Sequence, residues 1–147
     1  MSALILKAQR LLASINLSGV PFTLSMLFNA EQGLHITTQL CHELARHSGW
    51  WDGVDPKDKY IFATKIALIH SEVSEAMEGG RKGEADHHLT HRKAEEVELA
   101  DALIRIFDLA GARNLDLAGA LMEKLAYNQK RADHTPEARA AEGGKSF

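Results

Sequence analysis

Apolar side chains recur at helical rather than alternating spacing along most of the chain, and clusters of turn residues separate the runs. Leu4, Ile5, Leu11 and Leu12, with Lys7 and Arg10 between them, predict a short amphipathic helix over Ala3–Ile15. Ser18-Gly19-Val20-Pro21 breaks it. A second helix is expected from an Asn29 N-cap to His47, ended by Gly49, with Leu34, Thr37, Leu40, Cys41 and Leu44 as its apolar stripe. Trp50-Trp51-Asp52-Gly53 forms the next turn. Asp55 followed by Pro56 is a helix-start signal, because a carboxylate can cap free amides and proline lacks an N–H that the first turn cannot use. That third helix is expected to carry Phe62, Ile66, Ile69, Val73 and Met77 inward and to stop at Gly79-Gly80. A polar, His-rich loop follows, then a helix from Lys93 to Ala110 closed by Gly111, with Val97, Leu99, Leu103, Ile104 and Phe107 apolar. Asn114 caps a fifth through Leu117, Leu121 and Leu125 to about Arg131. The tail, Ala132–Phe147, shows no periodicity. With no strand alternation and no internal repeat, the pattern predicts an all-α helical bundle of four core helices plus an N-terminal helix.

Composition narrows the class of function. The 147 residues suit one domain, and 6% aromatic against 25% charged residues fits helices better than a sandwich or barrel. A single cysteine, Cys41, excludes an intramolecular disulfide framework and a multi-Cys zinc site. The net charge of −3 argues against general nucleic-acid binding, and no apolar run reaches the ~18 residues of a membrane span. Leu11–Ala30 is apolar, yet Asn16, Ser18 and Pro21 interrupt it and no short basic start precedes it, so a cytoplasmic location is expected rather than secretion.

The charge is unevenly spread. Ser71–Asp101 holds nine acidic and four basic side chains, a balance of −5, while the segments before and after are each +1. Glu72 and Glu75 stand three apart on one predicted helix, and Glu98 and Asp101 three apart on the next. Residues three apart share a helix face, and consecutive helices joined by a compact loop often pack antiparallel, which would bring the two pairs face to face. Such carboxylates repel by about 3 kcal/mol per close pair at an effective dielectric near 20, so either protons or a divalent cation must compensate them. All-oxygen donors favour Mg²⁺, with Mn²⁺ as a substitute, over zinc. Glu78 and Glu95 extend the acidic rows, and Arg105 stands at salt-bridge spacing from Asp101.

Lys124, Asn128 and Arg131 form a polar stripe on the fifth helix beside Tyr127, a donor set suited to polyphosphate oxygens or, equally, to a solvated basic helix end. No GxxxxGK[ST] or GxGxxG turn is present, so phosphate binding would not use a P-loop or a dinucleotide turn. Trp50, Trp51, Tyr60, Phe62 and Tyr127 are the aromatics available for stacking; Phe62 is expected to be packing.

Glu72-Val73-Ser74-Glu75, a 22-residue spacer, and Glu98-Leu99-Ala100-Asp101 together resemble the ExxE…ExxD signature of the MazG-like family of all-α nucleoside triphosphate pyrophosphohydrolases, whose relatives include dimeric dUTPases and dCTP pyrophosphatases. Lys124 to Arg131 resembles the family's basic helix, the Trp pair its aromatic turn, and Gly143-Gly144-Lys145 the Gly-rich tail of some members. The resemblance covers residues 29–147, giving an N-terminal extension (1–28), a catalytic domain (29–132) and a basic tail (133–147). It implies Mg²⁺-dependent hydrolysis of a nucleoside triphosphate to the monophosphate and pyrophosphate, with Glu72, Glu75, Glu98 and Asp101 holding the metal. It further implies phosphate contacts from Lys124 and Arg131, nucleotide contacts from Asn128, Tyr127, Trp50 and Lys145, and a homodimer or homotetramer. Some dUTPase-like relatives place a Glu immediately before the first motif residue. Ser71 stands there instead, which departs from the dUTPase pattern and leaves the general base to the metals alone or to Glu75.

Two other readings use different residues. His87, His88 and His91 resemble a zinc cluster but have no cysteine with them, and a di-iron bundle would need ExxH motifs on two helices where only Glu84 with His87 is available. The main alternative is a non-enzymatic helical interaction module whose acidic row is a solvated face.

Overall fold

The structure, a computed structural model, describes residues 13, 15–141 and 143. The predicted helix over Ala3–Ile15 lies almost wholly outside the described residues, as does Lys145. Five α-helices follow: α1 (Leu24–His47), α2 (Lys59–Lys82), α3 (Ala94–Ala112), α4 (Leu117–Asn128) and α5 (Pro136–Ala140), with a 3-10 turn over Ala132–His134. The protein is an all-α helical bundle, and its one β feature among the described residues is an isolated bridge between Ala85 and Lys93.

The chain divides into two compact units, with the boundary inside α1. The first joins the described residues up to His35 with those from Asp116 onward. Its core is Ile15, Met122 and Ala126, with Leu17, Leu27 and Leu34 packed against them. Asn16 is tied to Gln129 twice, its N–H donating to Oε1 (2.7 Å) and its carbonyl accepting from Nε2 (2.9 Å). The described part of residues 1–28 is thus built into the same unit as α4.

The second unit, Ile36–Leu115, is organised around the α2–α3 hairpin. Its helix ends differ from those the sequence predicts, and each difference has a local cause. Asp58, not Asp55, caps α2, accepting from the N–H of Tyr60 (2.6 Å) and Ile61; Asp55 instead accepts from Lys57 N–H in the preceding turn. α2 passes through Gly79-Gly80 and ends at Gly83, which takes φ +68° and donates its N–H to the Gly79 carbonyl. Gly79 serves close packing: a Cβ there would stand 2.8 Å from that of Ala94. Likewise α3 continues past Gly111, where a Cβ would meet His42 Cβ at 2.5 Å. Asn114 holds a left-handed turn (φ +51°), and Asp116 caps α4 by accepting from Gly119 N–H. α4 stops at Asn128, before Arg131. The tail expected to lack structure contains α5, started by Thr135 as N-cap and Pro136 in its first turn.

Small or polar residues take much of the buried faces, joined by Phe107, Leu109 and Met122. α2 buries Glu72, Ala76 and Gly79, while Val73 and Met77, expected inside, are 50% and 73% exposed. α3 buries Ala102 and Phe107–Ala110, leaving Leu99, Leu103 and Ile104 exposed. α4 buries Ala118, Met122 and Ala126 and exposes Leu121 and Leu125. Small side chains such as Ala76 and Gly79 let helix axes approach closely, and Val73, Met77, Leu99 and Leu103 face outward.

Candidate metal centre and adjoining cavity

The two strands of contact along the hairpin run in opposite directions. Gly79 meets Ala94, Glu72 meets Arg105, and Lys65 meets Asp108, so α2 and α3 pack antiparallel. The loop between them is held by Asp86, a buried carboxylate that accepts from the N–H groups of His88 and Leu89. Those bonds hold its pKa below the ordinary aspartate value, the one from Leu89 contributing most. A backbone bond from Ala94 N–H to the Glu84 carbonyl (3.0 Å) closes the loop base.

This register joins the acidic pairs. Carboxylate oxygens of Glu72, Glu98 and Asp101 lie within 4.8 Å of one another, the only grouping of three or more metal-capable side chains among the described residues. Glu72 is buried, and Glu98 and Asp101 are half-buried. Glu98 has a pKa raised above its ordinary value, first because burial strips its water, then because Glu75, Glu72 and Asp101 surround it with negative charge. Glu75 is exposed and stands outside the trio, near enough to act on Glu98 through its charge. Three oxygen donors with mutual repulsion, converging from two helices, fit a hard divalent cation.

The neighbouring acids are differently engaged. Glu78 accepts from Arg81 (2.7 and 2.8 Å) and pairs with Lys82 (3.3 Å), and Glu95 pairs with Lys93 (3.6 Å). Arg105 crosses the hairpin: its Nε donates to Glu72 Oε1 at 2.7 Å rather than pairing with Asp101 on its own helix. His87, His88 and His91 are exposed in the loop and join no metal-capable group.

A cavity of about 640 Å³ adjoins the trio, lined among others by Leu40, Leu44, Trp50, Asp101 and Arg105. Leu40 and Leu44, from the predicted apolar stripe, thus wall an open cavity. Its size lies within the range of small-ligand pockets, ~300–1,000 Å³. At its inner wall Asp108 accepts from Trp51 Nε1 (2.7 Å) and Lys65 Nζ (3.4 Å) and lies 3.0 Å from His42 Nδ1. Lys65 also sits 4.2 Å above the Trp51 ring. The Trp pair is thereby divided: Trp51 is pinned and half-buried, Trp50 exposed on the cavity rim. Asp108 was not singled out by spacing. The available signal was one acid inside the apolar run Ile106-Phe107-Asp108-Leu109-Ala110. Cys41 lines the same cavity, and burial, then the Asp108 charge, push its thiol pKa up.

The expected phosphate contacts belong to the other unit. Lys124 Nζ stands 4.7 Å above the Tyr127 ring, and both side chains are exposed. Asn128 Oδ1 and Glu31 Oε2 are buried without a hydrogen-bond partner. Arg131, beyond the end of α4, pairs twice with Asp133 (2.9 and 2.6 Å), so the single stripe expected from i, i+4, i+7 spacing ends at Asn128.

Comparison with protein-family models, with curated proteins and with solved structures returned no match.

Proposed function

We propose that the protein is a Mg²⁺-dependent nucleoside triphosphate pyrophosphohydrolase, converting a nucleoside or deoxynucleoside triphosphate and water to the monophosphate and pyrophosphate in nucleotide-pool cleaning. The observation that carries this reading is the convergence of Glu72, Glu98 and Asp101 beside a cavity large enough for a nucleoside. The MazG-like signature resembled by these same residues supplies the reaction class.

Glu72, Glu98 and Asp101 would hold the divalent ion, Mg²⁺ or its substitute Mn²⁺, with Glu75 closing the set from the exposed side. A bound divalent ion lowers the pKa of water and offsets charge on phosphate oxygens. Trp50 offers the exposed ring for base stacking, while Asp108 fixes Trp51 and so the turn that carries Trp50. Glu75, exposed at the edge of the trio, is the carboxylate assigned to accept the water's proton. Contacts to the nucleotide from Lys124, Asn128, Tyr127, Arg131 and Lys145 belong to this proposal through the MazG-like resemblance alone. No helix among the described residues is long and apolar enough to cross a membrane, and a cytoplasmic site of action belongs to the same proposal.

The test is pyrophosphate release from a panel of unmodified and damaged nucleoside triphosphates with Mg²⁺. Turnover of at least one, lost in E72A and D101A, is expected. Silence across the panel, or turnover indifferent to both substitutions, leaves the interaction-module reading in its place.

A further inference from the structure

The ion pair between Arg105 and Glu72 is asymmetric. The Glu72 side chain is 9% exposed and fixed within the hairpin, whereas that of Arg105 is 41% exposed. Only Nε of the guanidinium is engaged, and among the described residues Nη1 and Nη2 make no hydrogen bond. Arg105 also lines the cavity together with Asp101, whereas Glu72 does not. One side chain therefore stands on the shared wall between a carboxylate cluster and a cavity, with most of its donors unused.

A guanidinium and a divalent cation compete for the charge of the same carboxylate. Buried Glu72 cannot follow its partner, but a half-exposed arginine can turn at the cost of an ion pair and a few rotamers. The cavity gives it somewhere to go, and its planar fork of donors matches phosphate oxygens better than an ammonium would. We propose that Arg105 is a displaceable counter-ion: it neutralises Glu72 while the cluster is empty, and a divalent cation releases it to grip a phosphate group in the adjoining cavity. This rests on reading the carboxylate trio as a divalent-cation site. Its consequence is order: the cation binds first, and the phosphate-binding donor becomes available only then.

Two measurements on the full chain test this. Mn²⁺ binding without nucleotide, followed by electron paramagnetic resonance, is expected to be roughly tenfold tighter in R105Q than in the parent, the size set by one positive charge facing a divalent ion at close range through water. R105K, which keeps the charge but not the Nε contact, is expected to gain less. In the parent, the arginine Nε–H resonance assigned by its loss in R105K is expected to shift from its ion-paired position as Mg²⁺ alone is added. Equal Mn²⁺ affinity in the parent and both variants, or an Nε–H signal unmoved at saturating Mg²⁺, overturns the role of Arg105 and leaves the metal centre standing. Absence of Mn²⁺ binding in all three proteins removes the metal centre itself, and this inference with it.

Discussion

Glu98 shows how one side chain couples ion binding to stability. Its pKa is raised by burial and by the acids around it, so the folded state binds that proton more tightly than the unfolded chain does. Folding stability of the metal-free protein should therefore fall as pH rises from the ordinary glutamate value, about 4.3, through the raised one. Melting curves across that range in EDTA are expected to show the decline, and saturating Mg²⁺ should flatten it. Asp86 has the opposite sign. Its lowered pKa gives stability that is present above the ordinary aspartate value and lost as pH falls through its own. At Asp108 three donors meet one carboxylate, so D108A leaves the half-buried Lys65 charge unpaired and frees the Trp51 turn. Urea unfolding is expected to register a loss of about 2–4 kcal/mol. Glu75 is the contrasting case: E75Q should weaken Mn²⁺ binding less than E72A does while lowering kcat by about 10²–10⁴-fold, the range of general-base catalysis.

At the scale of the element, the α2–α3 hairpin depends on closeness more than on apolar area. Gly79 against Ala94, with Ala76 and Ala102 on the buried faces, brings the axes near enough for carboxylates on both helices to converge. G79A puts a methyl group 2.8 Å from that of Ala94 and is expected to cost about 1–3 kcal/mol in thermal or chemical unfolding. Because a small shift between the helices also separates the trio, the same variant should bind Mn²⁺ more weakly even where it is fully folded. The helix signals readable in the sequence were of the right kind but often at the wrong residue. Asp-Pro at 55–56 marked a turn before the helix instead of its first turn, and two glycines read as stops were packing contacts. A Gly that ends a helix and a Gly that admits a neighbouring helix look alike until the neighbour is in place.

For the molecule as a whole, the outward apolar rows matter most. Val73 and Met77 on α2 and Leu99 and Leu103 on α3 are each about half exposed or more, on helices whose buried faces are already occupied. Under the proposed function, the homodimer or homotetramer that the MazG-like resemblance implies would bury them against a second copy of the chain. Sedimentation analysis is expected to give a mass of at least twice 16.2 kDa, and M77K with L103K should lower it towards one chain without loss of helical content. A monomeric parent protein would contradict that assignment.

Periodicity along the chain was enough to determine the helical class and the existence of α1 to α4, whereas α5 lies in the tail read as aperiodic. The three-residue spacing, a local property of one backbone, pointed to Glu72, Glu98 and Asp101, which converge, and to Glu75, which stands outside the trio. Which face of each helix lies inside was decided only by tertiary structure. Along the α2–α3 contact Ala76, Gly79 and Ala102 took the inside because they permit close approach, which left Leu99 and Leu103 outward and Glu72 inside. The same register placed Arg105 on Glu72 across the hairpin instead of on Asp101 one turn away, and gathered His42, Trp51 and Lys65 around Asp108. Spacing within a helix says which residues share a face; only the partner helix says what that face meets.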